Sequence, residues 1–215
     1  TVGEALAQAP VDAISITGST RAGKRVAEIA SQNLHKFILE LGGSDPFVVL
    51  KDADVDKAAE IGVASRFLNN GQSCIAAKRF IVAEEVLEEF TKKFQEHVEK
   101  QIVGDPLDPK TTIGPLVRGN SREVITKQIS ESTSAGAKIL TGGNAPNGTG
   151  FFFNPTILTH VQPEMSVSRE EVFGPVAPII SVKNPIQAIK IANDTEFGLG
   201  SSIWSEKYAI ENNLA

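Results

Sequence analysis

The sequence predicts an α/β protein: an open, mostly parallel sheet with flanking helices. Three observations carry that prediction. Short apolar runs alternate with longer amphipathic stretches, as strands and helices do around a parallel sheet. Glycine-bearing turns follow the first two of these runs, where a strand would hand over to the next element. The 215 residues are 41 % apolar and 22 % charged, ordinary proportions for a chain that can bury a core.

Taken in order, residues 4–8 read as a helix end and Ala13 to Thr17 as a strand. The turn Gly18-Ser19-Thr20-Arg21-Ala22-Gly23 opens a helix from about Thr20 to Asn33. Strands are expected at Phe37 to Leu41 and Pro46 to Leu50, with Gly42-Gly43 between them. Val55, Ala58, Ala59, Val63 and Phe67 recur near the helical period, which predicts a helix from Asp54 to Asn69.

Arg79 to Ala83 is a strand, and Glu84 to Gln101 a helix with Val86, Leu87, Phe90, Phe94 and Val98 facing inward. The prolines of Asp105-Pro106-Leu107-Asp108-Pro109 make it a surface loop. Asn120 to Ala135 is a helix and Lys138 to Thr141 a strand, followed by a Gly/Asn/Pro-rich loop to Gly150. A strand region from Phe152 to Val161 is interrupted at Pro155. Val176 to Val182 is a strand, Pro185 to Asn193 a helix, Leu199 to Trp204 a last strand, and Asn213-Leu214-Ala215 a helix-like end.

Composition excludes several function classes. The formal charge of −5, with Lys and Arg scattered, leaves no basic footprint for nucleic acid. No stretch approaches the roughly 18 apolar residues of a membrane span, and the N-terminus has no signal-peptide pattern. A single cysteine allows no internal disulfide and no multi-cysteine metal site, so a reducing, cytoplasmic setting is expected. His35, His97 and His160 form no zinc motif. The chain starts without Met in what reads as a helix end and stops inside a helix-like stretch, so it reads as a piece of a longer protein.

Four short motifs carry chemistry. Gly18-Ser19-Thr20 follows a strand and opens a helix, where unpaired N–H groups suit a phosphate; an ordinary Ser/Thr cap has the same pattern. Glu40 ends a strand ahead of Gly42-Gly43, at the strand end where open α/β sheets bind ligands; a solvated carboxylate is the alternative. Cys74 follows Asn69-Asn70-Gly71-Gln72-Ser73 and precedes Ile75-Ala76-Ala77, which reads as a helix start. A helix N-terminus favours the thiolate, the nucleophilic form, whereas an inert core cysteine would have apolar rather than polar neighbours. In Glu171-Val172-Phe173-Gly174-Pro175, Glu171 suits a ribose diol and Phe173 a planar ring; a plain turn with a buried Phe is the alternative.

Together, Ile16-Thr17-Gly18-Ser19-Thr20, Leu39-Glu40-Leu41-Gly42-Gly43, Asn70-Gly71-Gln72-Ser73-Cys74 and Glu171-Val172-Phe173-Gly174-Pro175 resemble the aldehyde dehydrogenase superfamily in order and spacing. Gly42-Gly43-Ser44-Asp45-Pro46-Phe47 and Ala76-Ala77-Lys78-Arg79-Phe80 are most similar to its succinate-semialdehyde dehydrogenase branch. The resemblance implies Cys74 as catalytic nucleophile and Glu40 as general base. It implies NAD or NADP as cofactor, with Thr17, Gly18, Ser19, Leu41, Gly42, Glu171 and Phe173 as its contacts, and no metal. It also implies a Rossmann-like cofactor domain ending at residue 40 and a catalytic domain over 41–215, both incomplete, in a homo-oligomer, dimer or tetramer.

The implied reaction oxidises a small aldehyde, succinate semialdehyde in that branch, through a thioester on Cys74. Lys78 and Arg79 are candidates to hold its carboxylate, unless their side chains face away. Coenzyme-linked thiol acyl transfer is a second enzymatic reading, which Glu40 argues against because a base beside the thioester suits hydrolysis. A structural or interaction protein on the same fold, without dehydrogenase activity, is the alternative of another class.

Overall fold

The computed structural model describes residues 1–213, so Leu214 and Ala215 of the helix-like end lie outside the described residues. The chain divides into two compact units between Gly42 and Gly43, two residues after the boundary expected from the sequence.

The first unit holds α1 (Val2–Ala7), β1 (Ala13–Thr17), α2 (Thr20–Gln32) and β2 (Lys36–Glu40). β1 and β2 pair in parallel, with Thr17 opposite Glu40, so the carboxyl ends of both strands finish side by side. Ser19 caps α2 by accepting the Ala22 N–H at 3.2 Å, and Arg25 on α2 pairs with Glu4 on α1.

The second unit is built on β3 (Asp45–Val49), β4 (Ala77–Ala83), β5 (Lys138–Thr141), β6 (Thr156–Thr159), β7 (Val176–Val182) and β8 (Ser202–Trp204). Their order across the sheet is β5-β6-β7-β4-β3-β8, all parallel except β5 against β6. Its helices are α3 (Val55–Phe67), α4 (Leu87–Val98), α5 (Gly119–Ser134), α6 (Ser166–Arg169), α7 (Pro185–Asn193) and α8 (Tyr208–Glu211).

β4 sits between β3 and β7 and is buried along its whole length, as an interior parallel strand covered on both faces must be. Alternate residues feed two cores. Phe47, Val49, Phe80 and Val82 pack with Val63 and Phe67 of α3 and Phe90 and Phe94 of α4. Val48, Ile81, Leu158 and Ile180 pack on the other face with Ile125 and Ile129 of α5 and Ala188 of α7. The first core is aromatic: the Phe80 ring lies 4.8 Å from Phe94 edge-on and 5.2 Å from Phe47.

Several boundaries differ from the sequence reading. α3 stops at Phe67, and Leu68–Gly71 form a short 3₁₀ turn in which Asn69 and Asn70 take left-handed φ of 51° and 59°. Ile75-Ala76-Ala77 opens no helix: Cys74 and Ile75 form a turn, and Ala77 already pairs with Asp45 as the first residue of β4. Local helix preference there yields to pairing with a buried neighbouring strand. The two later strands shorten to Thr156–Thr159 and Ser202–Trp204.

Candidate active site

In the first unit, Thr17 ends β1 and Gly18 and Ser19 follow it, while Glu40 ends β2 and Leu41 and Gly42 follow it; the Gly18 N–H donates to the Glu40 carbonyl at 2.9 Å. The Glu40 side chain and Ser19 are exposed. Ser19 spends its hydroxyl oxygen on the cap, while the first turn of α2 keeps its N-terminal dipole end toward this corner.

In the second unit the site residues gather at the amino ends of parallel strands. Cys74 precedes β4, Glu171 and Phe173 precede β7, and Gly43 precedes β3. Cys74 is half-buried, and Phe173 is 40 % exposed beside the half-buried Glu171.

The polar residues before Cys74 serve as clamps. Asn70 donates to the Pro115 carbonyl and accepts the Gly114 N–H at 2.7 Å; Gln72 accepts the Val117 N–H at 2.9 Å; Asn69 donates to the Gln72 carbonyl. Gly71 needs to be glycine twice over. Its φ is +72°, and a Cβ there would stand 2.2 Å from the Gly174 carbonyl oxygen.

Two buried cations lie under the loop. Arg66, in the last turn of α3, donates to the carbonyls of Ala77, Gly71, Val172 and Gly174, and so ties the thiol loop to the Glu171–Pro175 turn. Lys78 donates to the carbonyls of Ser73 at 2.7 Å and Cys74 at 2.9 Å, with Glu171 Oε1 3.7 Å away. Burial pulls Arg66 down to about 9 and Lys78 to about 8; for Lys78 the Arg66 charge adds to the fall and Glu171 opposes it.

Glu171 Oε1 also accepts the Gly43 N–H at 3.0 Å. A Cβ on Gly43 would come 2.5 Å from the Cys74 carbonyl oxygen, so only glycine lets the chain pass that close. Glu171 Oε2 has no hydrogen-bond partner among the described residues.

The expectation that Lys78 or Arg79 meets a substrate carboxylate is not met. Both side chains are fully or almost fully buried. Arg79 donates to the carbonyls of Ser44, Ile191 and Ala192, and Lys78 to the thiol loop. A hollow of about 300 Å³ opens beside Ile75, with Ser65, Asp45, Gly200 and Trp204 among its walls, and neither cation lines it.

Sequence reasoning missed Arg66 altogether. The signal was there: a charged residue three positions after Val63, on the face of α3 that the apolar residues mark as buried.

Among the described residues, no group of His, Cys, Asp and Glu is placed to hold a metal ion, and no helix is long and apolar enough to cross a membrane.

Residues 1–214 match the sequence model of the aldehyde dehydrogenase family. The NADP⁺ succinate-semialdehyde dehydrogenase of Mycobacterium avium (strain 104) is 46 % identical over 199 residues, 93 % of this chain and 42 % of the relative. A crystal structure of an E. coli NADP-dependent enzyme superposes with a TM-score of 0.94 at 41 % identity, covering 97 % of this chain and 44 % of that one. The succinate-semialdehyde dehydrogenase of Burkholderia pseudomallei gives 0.94 at 37 % identity, over 97 % and 43 %. The chain thus spans less than half the length of these relatives.

Proposed function

The chain belongs to the aldehyde dehydrogenase family, and from that premise we propose that it oxidises an aldehyde to a carboxylic acid with NAD or NADP, with Cys74 as nucleophile and Glu40 as general base. The observation that carries the proposal is the half-buried thiol of Cys74 on a loop tied down by Lys78 and Arg66, beside Glu171 and an exposed Phe173.

The residues present fit a dinucleotide. Phe173 offers a ring face that packing leaves uncovered, and Glu171 an oxygen without a partner among the described residues, suited to a ribose hydroxyl. Thr17, Gly18 and Ser19, at the positive end of α2, with Leu41 and Gly42 opposite, suit the phosphates and the nicotinamide edge. The bound cofactor supplies a hydride acceptor. The first unit is then the end of the cofactor domain and the second the larger part of the catalytic domain.

In the proposed mechanism, Cys74 thiolate adds to the aldehyde carbon, and the carbonyl electrons move onto its oxygen. The Cys74 N–H steadies that oxyanion. Loss of hydride leaves a thioester on Cys74, and Glu40 takes a proton from water as it attacks, releasing the acid and the thiolate.

Succinate semialdehyde is the proposed substrate on the strength of the named relatives, with its carboxylate held by a residue other than Lys78 or Arg79. NADP is favoured on the same ground. A homo-oligomer, dimer or tetramer, in the cytoplasm completes the proposal. The test is activity of the intact protein toward a panel of aldehydes with each cofactor. Oxidation of succinate semialdehyde that disappears in Cys74→Ala supports the reading. Full activity in Cys74→Ala rejects it.

A further inference from the structure

Lys78 is buried to the point of having no exposed surface, at the second position of a strand whose pairing needs no ammonium. An amine is costly to bury unless its donors are used. Here they are aimed at two consecutive carbonyls, those of Ser73 and Cys74.

The trans peptide bond places each N–H opposite its C=O. With the Ser73 and Cys74 carbonyls both drawn toward Lys78, the N–H groups of Cys74 and Ile75 point to the other side of the loop. Neither N–H has a hydrogen-bond acceptor among the described residues. The Cys74 side chain leaves the backbone between them. Two adjacent free N–H groups beside a nucleophile make a cradle for an oxyanion.

We propose that Lys78 is a positioning residue: it holds the Ser73 and Cys74 carbonyls inward, and so presents the N–H groups of Cys74 and Ile75 to the oxyanion formed when the thiolate attacks a carbonyl. The inference rests on Cys74 being the nucleophile. Lys78 donates to the two carbonyls and acts through their peptide planes. The charged or titratable groups around it are Arg66 from α3, Asp45 from β3, Glu171 from the turn before β7, and Cys74 from its own loop.

Two reactions of Cys74 in the intact protein separate this role from a structural one. Iodoacetamide alkylates by displacement: the C–S bond forms as C–I breaks, iodide leaves, and no oxyanion exists. With p-nitrophenyl acetate the thiolate adds to the ester carbonyl and its π pair moves to oxygen. Collapse expels p-nitrophenolate and leaves S-acetyl-Cys74. Both reactions consume thiolate, so the ratio of acylation to alkylation cancels the thiolate fraction. Both are followed by mass spectrometry on the Cys74 peptide.

Lys78→Met is expected to lower the ratio about 10²-fold, the effect of losing an oxyanion donor. Lys78→Gln, with two N–H donors and no charge, should fall between Lys78→Met and the unaltered protein. An unchanged ratio in Lys78→Met overturns the proposal. If that variant does not fold, the unaltered protein gives the answer. Its ratio should drop about 10-fold as pH rises through the Lys78 titration, because a charged donor binds a carbonyl more strongly than a neutral one. A ratio that stays flat between about pH 7 and 9 overturns the proposal just as well. Failure of the nucleophile reading looks different: Cys74 would then be alkylated and acetylated no faster than a free peptide thiol.

Discussion

The two units present their site residues at opposite ends of parallel strands. In the first, Gly18, Ser19, Glu40 and Leu41 sit at the carboxyl ends of β1 and β2, where the next helix begins and its dipole end is positive. In the second, Cys74, Glu171 and Gly43 sit at the amino ends of β4, β7 and β3. The chain arrives at the Cys74 loop from the C-terminus of α3, where free carbonyls crowd and the dipole end is negative. The first corner needs only a hydroxyl cap and glycines. The second places Arg66 and Lys78 under the loop, and six backbone carbonyls take up their donors. A positive helix end comes with the strand–helix turn of the first unit; at the amino ends of the second unit's strands, cations must be brought in.

Substitutions can break this contrast, and the largest effect belongs to the thiol. Cys74→Ala in the intact protein should abolish aldehyde oxidation, whereas Glu40→Gln should slow the release of acid about 10²–10⁴-fold, as loss of a general base does. Single-turnover kinetics distinguish the two, since Glu40→Gln should still show a rapid first hydride transfer. Equal loss of that first step in both variants would mean that Glu40 does more than hydrolyse the thioester.

Next comes the cation scaffold. Arg66→Met removes donors from the carbonyls of Gly71, Ala77, Val172 and Gly174, and should destabilise the second unit by about 3 kcal/mol or more in urea unfolding. A loss below about 1 kcal/mol would show that the loop holds itself. Gly43→Ala forces a methyl toward the Cys74 carbonyl and should lower kcat about 10²-fold through a displaced loop. Its melting temperature should move far less than that of Arg66→Met.

The smallest effect belongs to the first unit. Ser19→Ala should cost about 1 kcal/mol, the worth of a helix cap, read as lost hydrogen-exchange protection in α2. No change there would mean that α2 is set by packing alone.

The same contrast explains what could be read from the sequence. The strand–turn–helix at Gly18 and the Glu40-Leu41-Gly42-Gly43 step are local patterns, and both stand where the apolar periodicity put them. The parallel sheet was legible because short apolar runs, such as those within β4 and β7, alternate with amphipathic stretches; the order of its strands was not. The support of the thiol loop was not. Arg66 meets Val172 and Gly174 more than a hundred residues away, and no periodicity carries that pairing. Asn69, Asn70 and Gln72 looked like evidence for a reactive loop, yet the Asn70 and Gln72 amides clamp it to residues 114–117 and Asn69 closes it on itself. Ile75-Ala76-Ala77 looked helical because its neighbours in β3 are invisible until the chain folds.

The central claim, that Cys74 carries the acyl group and Glu40 removes it, has one direct measurement. The Glu40→Gln protein is mixed with cofactor and succinate semialdehyde, quenched in acid within the first turnover, and its Cys74 peptide is weighed by mass spectrometry. A mass increase equal to a succinyl group on Cys74, persisting longer than in the unaltered protein, is the predicted result. Cofactor reduced in the same mixture with Cys74 unmodified would contradict it.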